Sequence, residues 1–180
     1  MVFTYNYGVN KLNKGDIKMH SRIFQVSKKP IEETEYLEEE RYYDYFVGGV
    51  ADYVDEVEDP IEDWNWLNDF SGGTIKIDTE KKTLTIIDKE AFFEKNYENW
   101  KKALDNLSNI TLKDFVSNEK FDEHSCSYNM WQLNSAYNDK HGFYIDDNDE
   151  YFGLVTLPSF MRNRENGEVF YLGNTIDYHY

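Results

Sequence analysis

The stretch Thr74–Leu107, "TIKIDTEKKTLTIIDKEAFFEKNYENWKKALDNL", holds the two clearest structural signals in the chain, side by side. Ile75 and Ile77, then Leu84 and Ile86, alternate with polar residues around the turn "DTEKK", which is the pattern of a half-buried β-hairpin. Asp88 follows as a helix cap. Beyond it Phe93, Tyr97, Trp100, Leu104 and Leu107 recur at helical spacing, which predicts one apolar stripe on a long helix. A hairpin feeding directly into an amphipathic helix predicts an α+β fold, a small antiparallel sheet of hairpins packed against several helices.

Working outward, the same logic places further elements. "SRIFQVS" (Ser21–Ser27) alternates as a strand and stops at Pro30. "EDPIEDWNWLNDF" starts a helix with Asp59 as cap and Pro60 at its first position. "LKDFVSN" after Thr111 and "YNMWQLNSAYND", ending near Gly142, read as helices, and "LPSFMRN" as a short one capped by Thr156. "GFYIDDNDEYFGLVT" reads as a second hairpin with a solvated acidic turn, and "EVFYLGNTIDYHY" as a closing strand pair turning at Gly173 and Asn174.

At 180 residues the chain fits one domain with a real core, and an aromatic content of 17% argues against disorder. No apolar run reaches the ~20 residues of a membrane span. Residues 19–180 are expected to form that single domain. The leader 1–18 is expected to be a non-native or accessory extension, because "KGDIKM" back-translates to a purine-rich ribosome-binding sequence before Met19. "VFTYNYGV" within it reads equally well as a strand. The single Cys126 excludes an internal disulfide and suits a reducing cytoplasm.

Charge is the strongest functional signal. Between Glu32 and Asp69, fifteen carboxylates face one basic residue, Arg41, so this segment carries −14 of the chain's −16. Direct binding to nucleic acid or anionic lipid is disfavoured, and a basic protein partner is favoured. Solubility alone is the plainer reading of such charge. The expected partner-binding residues are Glu38, Glu39, Glu40, Asp44, Asp52, Asp55, Glu56, Glu58, Asp59, Glu62 and Asp63. Tyr36, Tyr42, Tyr43, Tyr45, Tyr53, Trp64 and Trp66 lie among them and serve either as core or as rigid contact area for a partner. B-DNA carries one negative charge per ~1.7 Å of axis, so a folded surface with about a dozen carboxylates can imitate a short length of it.

Catalytic signals are weak. Asp146, Asn148 and Glu150 match the first positions of a calcium loop, but Tyr151 replaces its glycine and Leu157 its closing glutamate. His124 and Cys126 are adjacent without a third group to orient them, and a small buried cysteine is the plainer reading. His20, His124, His141 and His179 are too scattered for a zinc motif. No phosphate-binding loop or nucleophile elbow occurs. No cofactor and no catalytic residue is expected, although a carboxylate-based metal nuclease lacks strict spacing and stays an alternative.

"MHSRIFQVSKKPIEE" (Met19–Glu33), "FVGGVADYV" (Phe46–Val54), "WLND" (Trp66–Asp69) and the closing "GNTIDYHY" resemble a family of small acidic proteins on phages and conjugative elements of Firmicutes. Some proteins of that sort act as anti-CRISPRs against type II-A Cas9. The resemblance implies an inhibitor that binds Cas9, with or without guide RNA, in competition with nucleic acid. An antirestriction DNA mimic, or a nuclease-like inhibitor that promotes guide-RNA cleavage, is the alternative.

Overall fold

The computed structural model describes residues 20–117, 125–150 and 153–180, so the leader 1–18 with Met19 and the segment containing His124 lie outside the described residues. The fold is α+β, as the sequence predicts. In chain order the strands are β1 (His20–Ser27), β2 (Tyr53–Glu56), β3 (Ile75–Asp78), β4 (Thr83–Ile86), β5 (Tyr144–Asp147), β6 (Leu154–Thr156) and β7 (Val169–His179). The helices are α1 (Ile61–Phe70), α2 (Lys89–Ser108), α3 (Leu112–Val116), α4 (Cys126–Asn138) and α5 (Leu157–Arg162).

One seven-stranded sheet runs β3-β4-β7-β1-β5-β6, with β2 joining β7 beyond the end of β4. All pairings are antiparallel except β1 with β5, where Ile23 faces Tyr144. The two expected hairpins form, β3–β4 with Ile75 opposite Ile86, and β5–β6 with Ile145 opposite Val155. Helix starts also follow local chemistry. Asp88 accepts from the Ala91 N–H, Thr156 from Ser159 N, and Ser125 from Tyr128 N. Asp59 accepts from Ile61 N at 3.0 Å, although Pro60, one residue later than expected, occupies the cap position itself.

The closing segment departs from expectation. It is a single eleven-residue strand, not a pair, because Gly173 and Asn174 form a bulge rather than a turn. Phe24 pairs with Thr175 and Val26 with Leu172, so two steps on β1 span three on β7. A Cβ on Gly173 would lie 2.1 Å from Gln25 Oε1, so only glycine lets the buried Gln25 side chain cross the strand here.

The sheet buries side chains on both faces. Phe24, Val26, Phe143, Ile145, Phe170 and Leu172 pack under Trp64 and Leu67 of α1 and Leu157, Phe160 and Met161 of α5. On the other face Ile23, Tyr144, Ile176 and Tyr178 are covered by Leu37, Tyr42, Phe46 and Ala51 from the acidic segment. Each such side chain contributes roughly 1.5–3 kcal/mol when fully buried. The predicted stripe of α2 is less buried than its spacing implies. Phe93, Trp100 and Leu107 are half-buried against α4, while Tyr97 and Leu104 remain exposed. An apolar groove of about 950 Å³ lies there between the two helices. α4 itself stops at Asn138, four residues short of Gly142, where Asp139 takes a left-handed conformation at φ 48°.

Candidate functional site

The acidic segment forms an outer layer tied to the sheet by a small set of polar contacts. Gln25 Nε2 donates to the Glu35 carbonyl at 2.8 Å, and Leu37 N donates to Asn174 Oδ1 at 2.9 Å while Asn174 Nδ2 returns a bond to the Leu37 carbonyl. Tyr42, fully buried, donates its hydroxyl to Asp146 Oδ2 at 2.9 Å, and Arg41 reaches Asp146 Oδ1 at 3.2 Å. Phe46 meets Tyr144 and Tyr178 edge to face, with centroids 5.0 and 5.2 Å away. The segment then enters β2, whose Tyr53 pairs with His179 and Asp55 with Asp177. That strand is hidden in the sequence, because "YVDEVED" is too acidic to read as one.

This anchoring sorts the segment by chemistry. Leu37, Tyr42, Phe46, Ala51 and Val54 face the sheet and are buried there. Glu38, Glu40, Asp44, Asp52, Asp55, Glu56, Glu58, Asp59 and Glu62 are exposed, and Glu39 is half-buried, accepting a hydrogen bond from the Tyr43 hydroxyl. Among the described residues no Lys or Arg forms an ion pair with any of these ten carboxylates, and the segment's one cation, Arg41, is engaged with Asp146. Tyr43, Tyr45 and Tyr53 stand exposed among the acids, whereas Tyr42 and Trp64 are core and Tyr36 and Trp66 half-buried. The hydrogen bond to Glu39, with the neighbouring carboxylates, pushes the Tyr43 hydroxyl up to about 12.

Asp63 is the correction within the expected set. It is buried on α1, where Arg22 Nε donates to its Oδ1 at 2.8 Å, so it holds the helix to β1 and is not available to a partner. Burial pushes its pKa up, and the Arg22 charge opposes that shift.

The acidic turn after β5 is also corrected. Asp146 and Asp147 are buried, the first held by Tyr42 and Arg41 and the second by Arg164. Burial raises both pKa values against those partners. Both carboxylates are thus spent on internal contacts rather than converging on a calcium ion, and Tyr151 lies outside the described residues. Cys126 is a free, half-buried thiol on the first turn of α4.

The histidines are less scattered than their numbering implies. His20 and His179 face each other across β1 and β7, and Asp177 lies two residues before His179 on the same side of the strand. The ligand atoms of these three lie within 4.8 Å of one another, the one such convergence of His, Cys, Asp or Glu among the described residues. The "DYH" spacing was the visible half of this cluster, while His20 comes from the other end of the domain.

Comparison with protein-family models, with curated proteins and with solved structures finds no match to this chain. No helix among the described residues is long and apolar enough to cross a membrane.

Proposed function

We propose that this chain is a binding protein that inhibits a nucleic-acid-handling effector of the Cas9 type by laying its acidic face into the effector's basic channel. The observation that carries this reading is the one-sided sorting of Leu37–Glu62. Leu37, Tyr42, Phe46, Ala51 and Val54 on its sheet side are buried, while nine carboxylates and three tyrosines face water, and among the described residues no Lys or Arg forms an ion pair with those carboxylates. Cas9 holds its guide–target duplex in a positively charged channel that reads backbone geometry, and such a channel accepts a folded array of carboxylates. Exposed tyrosines add contact area with little conformational cost.

The test is Cas9 capture and cleavage inhibition, with and without guide RNA, across a salt series. One variant changes Glu38, Glu40 and Asp44 to their amides, and a second changes Asp52, Glu56 and Glu58. Single exposed ion pairs contribute ~0–1 kcal/mol, so each triple set is expected to weaken binding by up to about a hundredfold and to flatten its salt dependence. A control set on α2, Glu90, Glu94 and Glu98, carries the same charge change on another surface and is expected to leave inhibition intact. Inhibition that survives both sets, or that is insensitive to salt, overturns the reading.

A further inference from the structure

We propose that His20, Asp177 and His179 form a binding site for a single divalent transition-metal ion of the zinc class. The site is built by strand register. His20 opposes His179, Arg22 opposes Asp177, and the alternation of the two strands turns all four side chains to one face. Asp177 Oδ2 lies 2.8 Å from His20 Nδ1 and 3.6 Å from His179 Nε2. Three donors bound tetrahedrally at the usual zinc distances stand about 3.4 Å apart, and the three ligand atoms here already lie within 4.8 Å of one another.

The surroundings suit a cation. Asp177 divides its oxygens: Oδ1 takes the Arg22 guanidinium, and Oδ2 faces the two imidazoles. Arg22 is in turn fixed by Asp63, so the ligating carboxylate is held from behind, as outer-shell partners hold metal ligands. Asp55 sits opposite Asp177 on β2, which makes the immediate neighbourhood of Asp55, Asp63, Asp177 and Arg22 net negative. The Tyr53 ring packs 4.4 Å from that of His179 and limits its rotation. His20 is exposed, so the remaining coordination position opens to solvent. Two imidazoles and one carboxylate favour zinc and its neighbours over calcium or magnesium, which take oxygen ligands.

The experiment uses the full chain without a polyhistidine tag, stripped with chelator and titrated with zinc by calorimetry, with cobalt as a spectroscopic substitute. One site per chain is expected, with visible cobalt absorption of a nitrogen- and oxygen-ligated centre and a rise in melting temperature. His20→Ala, at an exposed position, is expected to weaken zinc at least tenfold and to abolish the cobalt band while the chain stays folded. Asp177→Asn is expected to do the same, and His124→Gln to change neither. No binding at a hundredfold excess of zinc overturns the proposal. So does one-to-one binding that survives His20→Ala, or weak binding of many ions that the variants leave unchanged.

Discussion

The Tyr42 hydroxyl donates to Asp146 Oδ2 at 2.9 Å, joining the acidic layer to a β5 carboxylate that has no exposure to water. Removing the hydroxyl leaves half of a buried ion's partners in place, and a buried group that loses its partner costs about 1–3 kcal/mol. Tyr42→Phe is therefore expected to destabilise by that amount in denaturant unfolding. Burial already holds the Asp146 pKa above its ordinary value, and Tyr42 opposes that rise. The variant's deficit is thus expected to be smaller in mild acid than at neutral pH, because protonation relieves the under-paired carboxylate.

Neighbouring acids on α1 are expected to behave oppositely. Asp63→Ala strips a buried partner from Arg22, and breaking such a pair costs about 3–5 kcal/mol, toward the lower end here because Asp177 still holds the guanidinium. Glu62→Ala, one residue earlier and exposed, is expected to stay within about 0.5 kcal/mol of the parent. Thermal melts of the two variants check this, and equal losses would show that the Arg22 contact contributes little.

Asp139 sets a third expectation. Burial pushes its carboxyl from the ordinary 3.8 up to about 6. The folded chain therefore holds a proton between pH about 4 and 6 that the unfolded chain releases. This contribution to stability is complete below the lower value and is lost as pH rises through the upper one. Asp139→Asn keeps the left-handed cap, which asparagine tolerates, and removes the charge. The variant is expected to gain about 1–2 kcal/mol at pH 7, the side chain being only half-buried, and to lose the pH dependence between 4 and 6. Melting curves across that range measure both.

At the β7 bulge, Gly173→Ala drives a methyl group into Gln25, whose nearest atoms would lie 2.1 and 2.6 Å away. Overpacking of this kind costs about 1–3 kcal/mol. Gln25 also holds the Glu35 carbonyl, so the expected signature is local: faster hydrogen exchange at Leu37 than at Ile145, which lies on β5 away from the bulge. Uniform loss of protection would point to global unfolding instead.

What was legible in the sequence is what is encoded locally. The Thr74–Asp88 hairpin and its helix were readable because alternation, turn and cap all lie within a few residues of one another. The exposure of nine of the eleven expected acids followed from their density. Asp63, Asp146 and Asp147 were misread because their neutralising partners, Arg22, Arg41 and Arg164, come from 41, 105 and 17 residues away. The glycine–asparagine pair at 173 and 174 carries a turn signal, and only the Gln25 side chain from a distant strand makes it a bulge. The His20–His179 pairing was out of reach for the same reason.

The bulge has a wider consequence. It acts as a frame shift in the alternation of β7: before it, Phe170 and Leu172 belong to the helix-covered layer, and after it Ile176 and Tyr178 belong to the layer beneath the acidic segment. One strand thereby serves as the spine of two separate cores, and the same half-step turns Asp177 and His179 away from the second. A chain that ran through Gly173 and Asn174 in regular alternation, with neither bulged out, would offer aspartate and histidine to the aromatic pocket that seats Phe46. Its acidic layer would have nothing to dock on, while the helical half kept its packing.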